Sequence, residues 1–182
     1  MTSILKVDTL QDASGTGTPY IKDAVLQVKQ GILRTTWTQT AGTTTWDDTP
    51  LSVVITPQST NSKILITGMI CFSLGGSQNH GGFKVVRNGQ DFLLNTSSNT
   101  NRQLGHIHYY TDNAFDSNYQ IQNAALNLLD EPLSTSELTY KLQARTKHNA
   151  PYTIQLNRVT SDSDNAYNGF TVSTITAMEI GG

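Results

Sequence analysis

From residue 24 onward the chain alternates short apolar runs with turn residues, and the spacing predicts strands. Val25, Gln27 and Lys29 alternate against Leu26 and Val28; Ile32-Leu33 and Thr35-Thr36-Trp37 follow, and Thr40 to Thr45 reads as a loop. Leu51 to Thr56 is a β-branched run closed by Pro57. Lys63 to Leu74 carries the strongest strand signal, and its nearly continuous apolar character predicts cover on both faces. Phe83 to Val86 and Asp91 to Leu94 flank Arg87-Asn88-Gly89-Gln90. Asn-Gly tolerates the positive φ of a two-residue turn, so these runs read as a hairpin. Further strands are expected at 104–110, 138–145, 151–159 and 170–180. Tyr119 to Leu129 reads two ways: Ile121, Ala124, Ala125, Leu128 and Leu129 fit helical spacing, while the neighbouring segments fit strands. About ten strands over roughly 150 residues, with turn signals between them, predict an all-β fold, an antiparallel β-sandwich or jelly roll.

Residues 1–23 differ from the rest. Ile4, Leu5, Val7 and Leu10 precede a Gly/Ser/Thr/Pro stretch from Ala13 to Pro19. So short an apolar set buries little alone, which predicts an extended N-terminal arm anchored by these four residues on the main domain or on another chain. The sandwich is then 24–182.

Composition sharpens this reading. Hydrophobic residues make up 36% of the chain and charged residues 14%, against about 25% charged in an average soluble protein. Polarity comes instead from Thr, Ser, Asn and Gln, with Thr about one residue in seven, and Thr favours strands. A net charge of -2 argues against nucleic acid and anionic membrane as main partners, since both demand a basic field. One cysteine rules out an intrachain disulfide framework. The N-terminus lacks the apolar core of a signal peptide. The run Ile64 to Leu74 is interrupted by Thr67, Gly68 and Ser73 and is too short to span a bilayer. Synthesis in a cytoplasm without the usual export or membrane insertion is expected.

Candidate chemistry is sparse. Cys71 has apolar neighbours and reads as a buried core thiol. His106 and His108, one residue apart on a strand, would share a face and are weak metal-ligand candidates. His80 and His148 look like loop residues. Asp47-Asp48 diverge on extended backbone, and Asp162-Ser163-Asp164-Asn165 starts like a calcium loop but lacks its glycine and distal Glu. Gly15-Thr16-Gly17 is not completed into a phosphate loop, and no nucleophile-elbow or zinc-protease motif stands out. No enzyme and no cofactor is expected. For a glycan-cleaving reaction the nameable carboxylates are Asp91, Asp112, Asp116, Asp130 and Glu131. Trp37, Trp46, Tyr109, Tyr110, Tyr119, Tyr152 and Tyr167 sit among Thr, Asn and Gln, a setting that suits sugar or protein contacts. Tyr109, Tyr110, Tyr152 and Tyr167 are the candidate surface-binding residues.

Two stretches carry a resemblance. Ser3-Ile4-Leu5-Lys6-Val7-Asp8-Thr9-Leu10-Gln11-Asp12-Ala13-Ser14-Gly15 resembles the opening of small fibre-like structural proteins of tailed bacteriophages, of the cyanophage and marine-phage type. Val25 to Val28, Leu51 to Pro57, Ser62 to Ile66, Val86 to Gly89, Leu129 to Pro132, Leu138 to Gln143 and Ser173 to Ile180 resemble the C-terminal domain of the same proteins, in order along nearly the whole chain. The resemblance implies a homotrimeric β-sandwich with a jelly-roll outline of the tumour-necrosis-factor type, mounted on a virion through its arm. It implies a short tail fibre or knob that attaches to host-surface polysaccharide. A capsid decoration protein is the alternative, and a soluble carbohydrate-binding module stands outside the virion class. The family's longer members have a shaft, whereas here only residues 15–19 separate arm and sandwich.

Overall fold

A computed structural model of the chain describes residues 23–39, 45–75, 79–96, 102–110, 119–146 and 153–182. Ile4, Leu5, Val7, Leu10, Tyr152, His148, Asp112 and Asp116 lie outside these residues. Every regular element among the described residues is a strand. They are β1 (Val25–Leu33), β2 (Trp37–Thr38), β3 (Asp47–Ile55), β4 (Lys63–Gly75), β5 (His80–Arg87), β6 (Gln90–Asp91), β7 (Ile107–Tyr110), β8 (Gln122–Asp130), β9 (Leu138–Thr146), β10 (Thr153–Leu156) and β11 (Ser173–Ile180).

The strands form two antiparallel sheets, and the protein is a β-sandwich. Sheet A is built on β4. One side of β4 takes β11 along Lys63–Met69 and then β10 along Phe72–Gly75, while β8 lies on the other side. β1 extends the sheet beyond β11, and β2 extends it beyond β10. Sheet B runs β3-β9-β5, with β6 and β7 sharing the far side of β5. The chain enters at Asp23, whose amide donates to the Gly181 carbonyl at 2.8 Å.

Alternation decides which side chains face inward. β9 and β11 are buried at every second position, as a half-buried strand requires. Phe72 and Phe83 meet edge-on between the sheets, ring centroids 4.9 Å apart, with Ile66, Leu142 and Ile154 fully buried around them. The expectation for β4 holds over its second half, where Ile70 to Gly75 are buried without a break. In its first half the residues alternate, because β11 and β8 flank a face that no other described strand covers.

The ambiguous stretch at 119–129 is the strand β8, paired with β4 from Gln122 to Asp130. Ala124 and Leu126 point inward while Asn123, Ala125, Asn127 and Leu129 are exposed. The apolar positions fit both periods, and pairing with β4 selects the strand. The Asn88-Gly89 turn forms as expected, with φ of 50° and 76° at its two residues, and closes the β5–β6 hairpin. Several strands are shorter than the sequence suggests: β7 starts at Ile107 and β6 stops at Asp91.

The two outer faces differ. On sheet A, register aligns Val28, Met178, Leu65 and Leu129 in one row across four strands. The next row is Gln30, Thr176, Thr67 and Asn127, with Gln30 Nε2 donating to Thr176 Oγ1 at 3.0 Å. A third row holds Ile32, Thr174, Met69 and Ala125. None of these positions carries a charge. The outer face of sheet B is charged.

Candidate functional site

The outer face of sheet B brings together an indole, two ion pairs and several side-chain amides. Register sets Arg145, Gly82 and His108 side by side, then Gln143 beside Lys84, then Ser52, Lys141, Val86 and Asp91. Trp46, just ahead of β3, lays its ring over this sheet. A Cβ on Gly105 would stand 3.0 Å from Trp46 Cη2, and one on Gly82 would stand 3.4 Å from the same atom. A side chain at Gly105 would therefore crowd the indole, whereas at Gly82 the tight neighbour would be the Ile107 carbonyl oxygen, 3.0 Å away, with Trp46 in ordinary contact. Lys84 Nζ sits 5.0 Å from the Trp46 ring centroid, a cation–π distance. The same ammonium pairs with Asp91 at 2.5 Å, so a nearly buried charge is held by a carboxylate and an aromatic face together.

Asp48 anchors the neighbouring part of the face. Its carboxylate accepts from Lys141 Nζ at 2.8 Å and Gln143 Nε2 at 2.7 Å. These two bonds, the lysine's first, lower its pKa below the ordinary carboxylate value. Asp48 and Lys141 also line a cleft of about 270 Å³ with Val86, Asn88, Gly89 and Thr139, next to the hairpin turn. Beside Gly82 the hydrogen bonding is incomplete. Both amide atoms of Gln103 and the Arg145 Nε are buried without a partner. Such groups cost free energy until something bonds them.

The histidines expected to share a face are set in different surroundings. His106 precedes β7, packs on Phe92 with ring centroids 5.8 Å apart, and accepts the Val85 amide hydrogen on Nδ1 at 3.0 Å. Burial lowers its pKa, so it is a neutral imidazole with Nδ1 committed to backbone. His108 is exposed and its ring lies 6.0 Å from that of His80, which is tilted 44° to the Tyr110 ring at 4.7 Å. Among the described residues no group of three or more His, Cys, Asp or Glu converges in a way that could hold a metal.

The candidate tyrosines separate likewise. Tyr109 turns inward against Phe72, ring centroids 4.5 Å apart, and donates its hydroxyl to the Asn123 carbonyl at 3.3 Å. It is partly buried and packs against the core. Tyr110 is half exposed, and Tyr167 is 81% exposed in a turn where its amide donates to Asn165 Oδ1. The acidic turn is tied by Arg158–Asp162 and by Asn165 and Asn168 bonding Ser163. Cys71 is buried, as expected. Of the named carboxylates, the three among the described residues are engaged: Asp91 with Lys84, Glu131 with Lys63, and Asp130 with Arg87 and Tyr140.

Sequence reading placed Trp46 among the aromatics but did not single it out. Its distinguishing signal is the pair of glycines, Gly82 and Gly105, far apart in sequence and joined only by the β5–β7 pairing. No protein-family model matches the chain, and no curated protein matches it. Among the described residues no helix is long and apolar enough to cross a membrane.

Proposed function

We propose that this chain is a structural protein of a tailed-bacteriophage particle, a short fibre or knob that attaches to host-surface polysaccharide through the outer face of sheet B. The observation that carries the attachment reading is Trp46, seated on Gly82 and Gly105 beside the Lys84–Asp91 pair. A flat apolar ring next to fixed donors and acceptors matches a pyranose, which offers an apolar face edged by hydroxyls. Asp48, Gln143 and Lys141 extend the polar lattice along the same face, so a polymer could run across several strands. Strands rather than loops hold most of these groups, which limits the ordering cost of binding. The strand orders β1-β11-β4-β8 and β3-β9-β5 support the jelly-roll outline, and the family-like strings along the chain support the virion assignment.

The test is affinity electrophoresis of the purified chain through gels cast with bacterial capsular and O-antigen polysaccharides. Retardation by at least one of them, weakened about tenfold by Trp46→Ala, is expected; tenfold corresponds to about 1.4 kcal/mol. No retardation by any, or retardation that Trp46→Ala leaves unchanged, would sink the attachment site. Antibody labelling of phage particles under the electron microscope tests the virion assignment. Label at the tail supports the fibre reading, label over the head moves it to capsid decoration, and unlabelled particles leave the soluble sugar-binding module.

A further inference from the structure

We infer that the polysaccharide met by the outer face of sheet B is acidic, and that Arg145 takes a carboxylate of its sugar. The inference rests on the attachment reading and names the chemistry of its ligand. The strands place three lysine and arginine side chains on this face, Lys84, Lys141 and Arg145. Lys84 is engaged by Asp91 and the Trp46 ring, and Lys141 by Asp48. Among the described residues no carboxylate pairs with Arg145. Asp47, opposite the neighbouring Ala144, bonds Gln39 and Thr45 instead. The two lysine pairs are each neutral, so the charge left over at the outward positions of these strands is that of Arg145.

Its position suits a sugar lying on the indole. Arg145 and Gly82 are register partners, so their Cα atoms stand about 5 Å apart. Trp46 Cη2 lies 3.4 Å from the place a Gly82 Cβ would take. Arg145 therefore starts within one strand spacing of the ring. An acidic sugar carries its carboxylate on the rim of the pyranose, and stacking on the indole brings that rim to the guanidinium. Arg145 Nε is buried and unbonded, so the base of the group is already packed and binding orders little that is free. The two terminal nitrogens remain to meet the carboxylate, in the fork that guanidinium and carboxylate form together. A neutral polymer would displace water from this cation and return no counter-charge, which costs free energy. An acidic polymer supplies the charge.

The polysaccharides of the attachment test, run against the full chain before and after carbodiimide–borohydride reduction of their carboxyl groups to alcohols, decide this. Polymers that retard the chain should carry carboxylates, and reduction should weaken retardation about tenfold. Arg145→Gln should weaken binding to the native polymer by a similar factor and leave binding to the reduced one unchanged. Arg145→Lys should restore part of the loss, because an ammonium keeps the charge without the fork. Lys29→Gln, exposed on β1 of sheet A, removes a charge elsewhere and should change nothing. Equal retardation by native and reduced polymers, or retardation by neutral polymers alone, overturns the inference and leaves the attachment reading standing. Reduction alters the ligand, so this result is independent of how any variant folds. Native binding that Arg145→Gln leaves intact overturns it too. So does a loss that Lys29→Gln matches, or equal retardation by dextran sulfate, since net charge would then account for the binding. No retardation by any polymer overturns both readings, whereas carboxylate-dependent binding that Trp46→Ala leaves unchanged removes the indole site alone.

Discussion

Arg87 and Asp130 face each other across the sandwich, the Arg87 Nη1 donating to both carboxylate oxygens at 2.8 Å. Arg87 ends β5 in sheet B and Asp130 ends β8 in sheet A, so the pair ties the two sheets together. Tyr140, fully buried on β9, donates its hydroxyl to the same carboxylate at 2.6 Å. Burial, then this bond, push the Tyr140 pKa far above its ordinary value, so the phenol stays a donor. Asp130→Ala leaves a buried hydroxyl unpaired and a guanidinium without its counter-charge. Breaking a buried pair costs about 3–5 kcal/mol. The partial exposure of Arg87 puts the expected loss near the low end, about 3 kcal/mol. Urea denaturation reads it directly, and a loss below about 1 kcal/mol would show that the pair behaves as a surface bridge.

Glu179 is fully buried on β11 with no cation among its hydrogen-bond partners. It accepts from Gln27 Nε2, the Gln58 amide and Ser62 Oγ at 2.6, 2.7 and 2.6 Å. Three neutral donors on three segments thus close one end of the sandwich around a carboxylate. Glu179→Ala strips all three donors of their acceptor, and a loss of about 1–3 kcal/mol is expected in the same denaturation assay. Ser62→Ala, which removes one donor and leaves the carboxylate two others, should cost less. The reverse order of the two losses would contradict this account.

His106 makes stability depend on pH in a known direction. Its folded-state pKa is lowered from 6.5, mainly by burial, so the unfolded chain binds the proton more readily. The stabilisation from the neutral ring is therefore complete above about pH 6.5. It falls as pH drops through the window beneath that value, and it levels off once the folded imidazole protonates. The protonated ring cannot accept the Val85 amide hydrogen on Nδ1. His106→Gln, with an amide oxygen able to accept that hydrogen, should flatten the wild-type slope between about pH 6.5 and 5. Urea midpoints of both proteins across that range check it; parallel slopes would remove His106 as the cause.

The fold was largely legible because strand signals are local. The Asn88-Gly89 turn, the β-branched Leu51 to Thr56 run and the alternation in 138–145 each act over a few residues, and each formed. Tyr119 to Leu129 stayed open because Ala124, Ala125, Leu128 and Leu129 satisfy both periods, and the partner that decides, β4, lies about 60 residues upstream in the chain. The site was far less legible. Gly82 and Gly105 carry no local signal that sets them apart, because only the folded sheet brings both close to Trp46. Tyr109 and Tyr110 are adjacent and chemically alike, yet the pleat turns one against the core and the other outward. His106 stands outside the strand that was to align it with His108, so a spacing argument that assumes continuous extended backbone fails there.

Gly105 gives the sharpest test of the Trp46 arrangement. A Cβ at that position would stand 3.0 Å from Trp46 Cη2 and 3.0 Å from the Phe83 carbonyl oxygen. The carbonyl belongs to β5 and is held by the His106 amide at 2.9 Å, so the indole is the group that must move. Gly105→Ala should lift the ring off the sheet, shift Trp46 fluorescence in a Trp37→Phe background, and cost about 1–3 kcal/mol, as overpacking does. Gly169 has nothing within 4 Å of its Cβ position, and Gly169→Ala should change neither fluorescence nor stability. The same Gly105→Ala protein should lose polysaccharide retardation together with Trp46→Ala if the seated indole is what the sugar meets. Retained binding with a shifted fluorescence spectrum would mean that the ring's position on Gly82 and Gly105 serves packing alone.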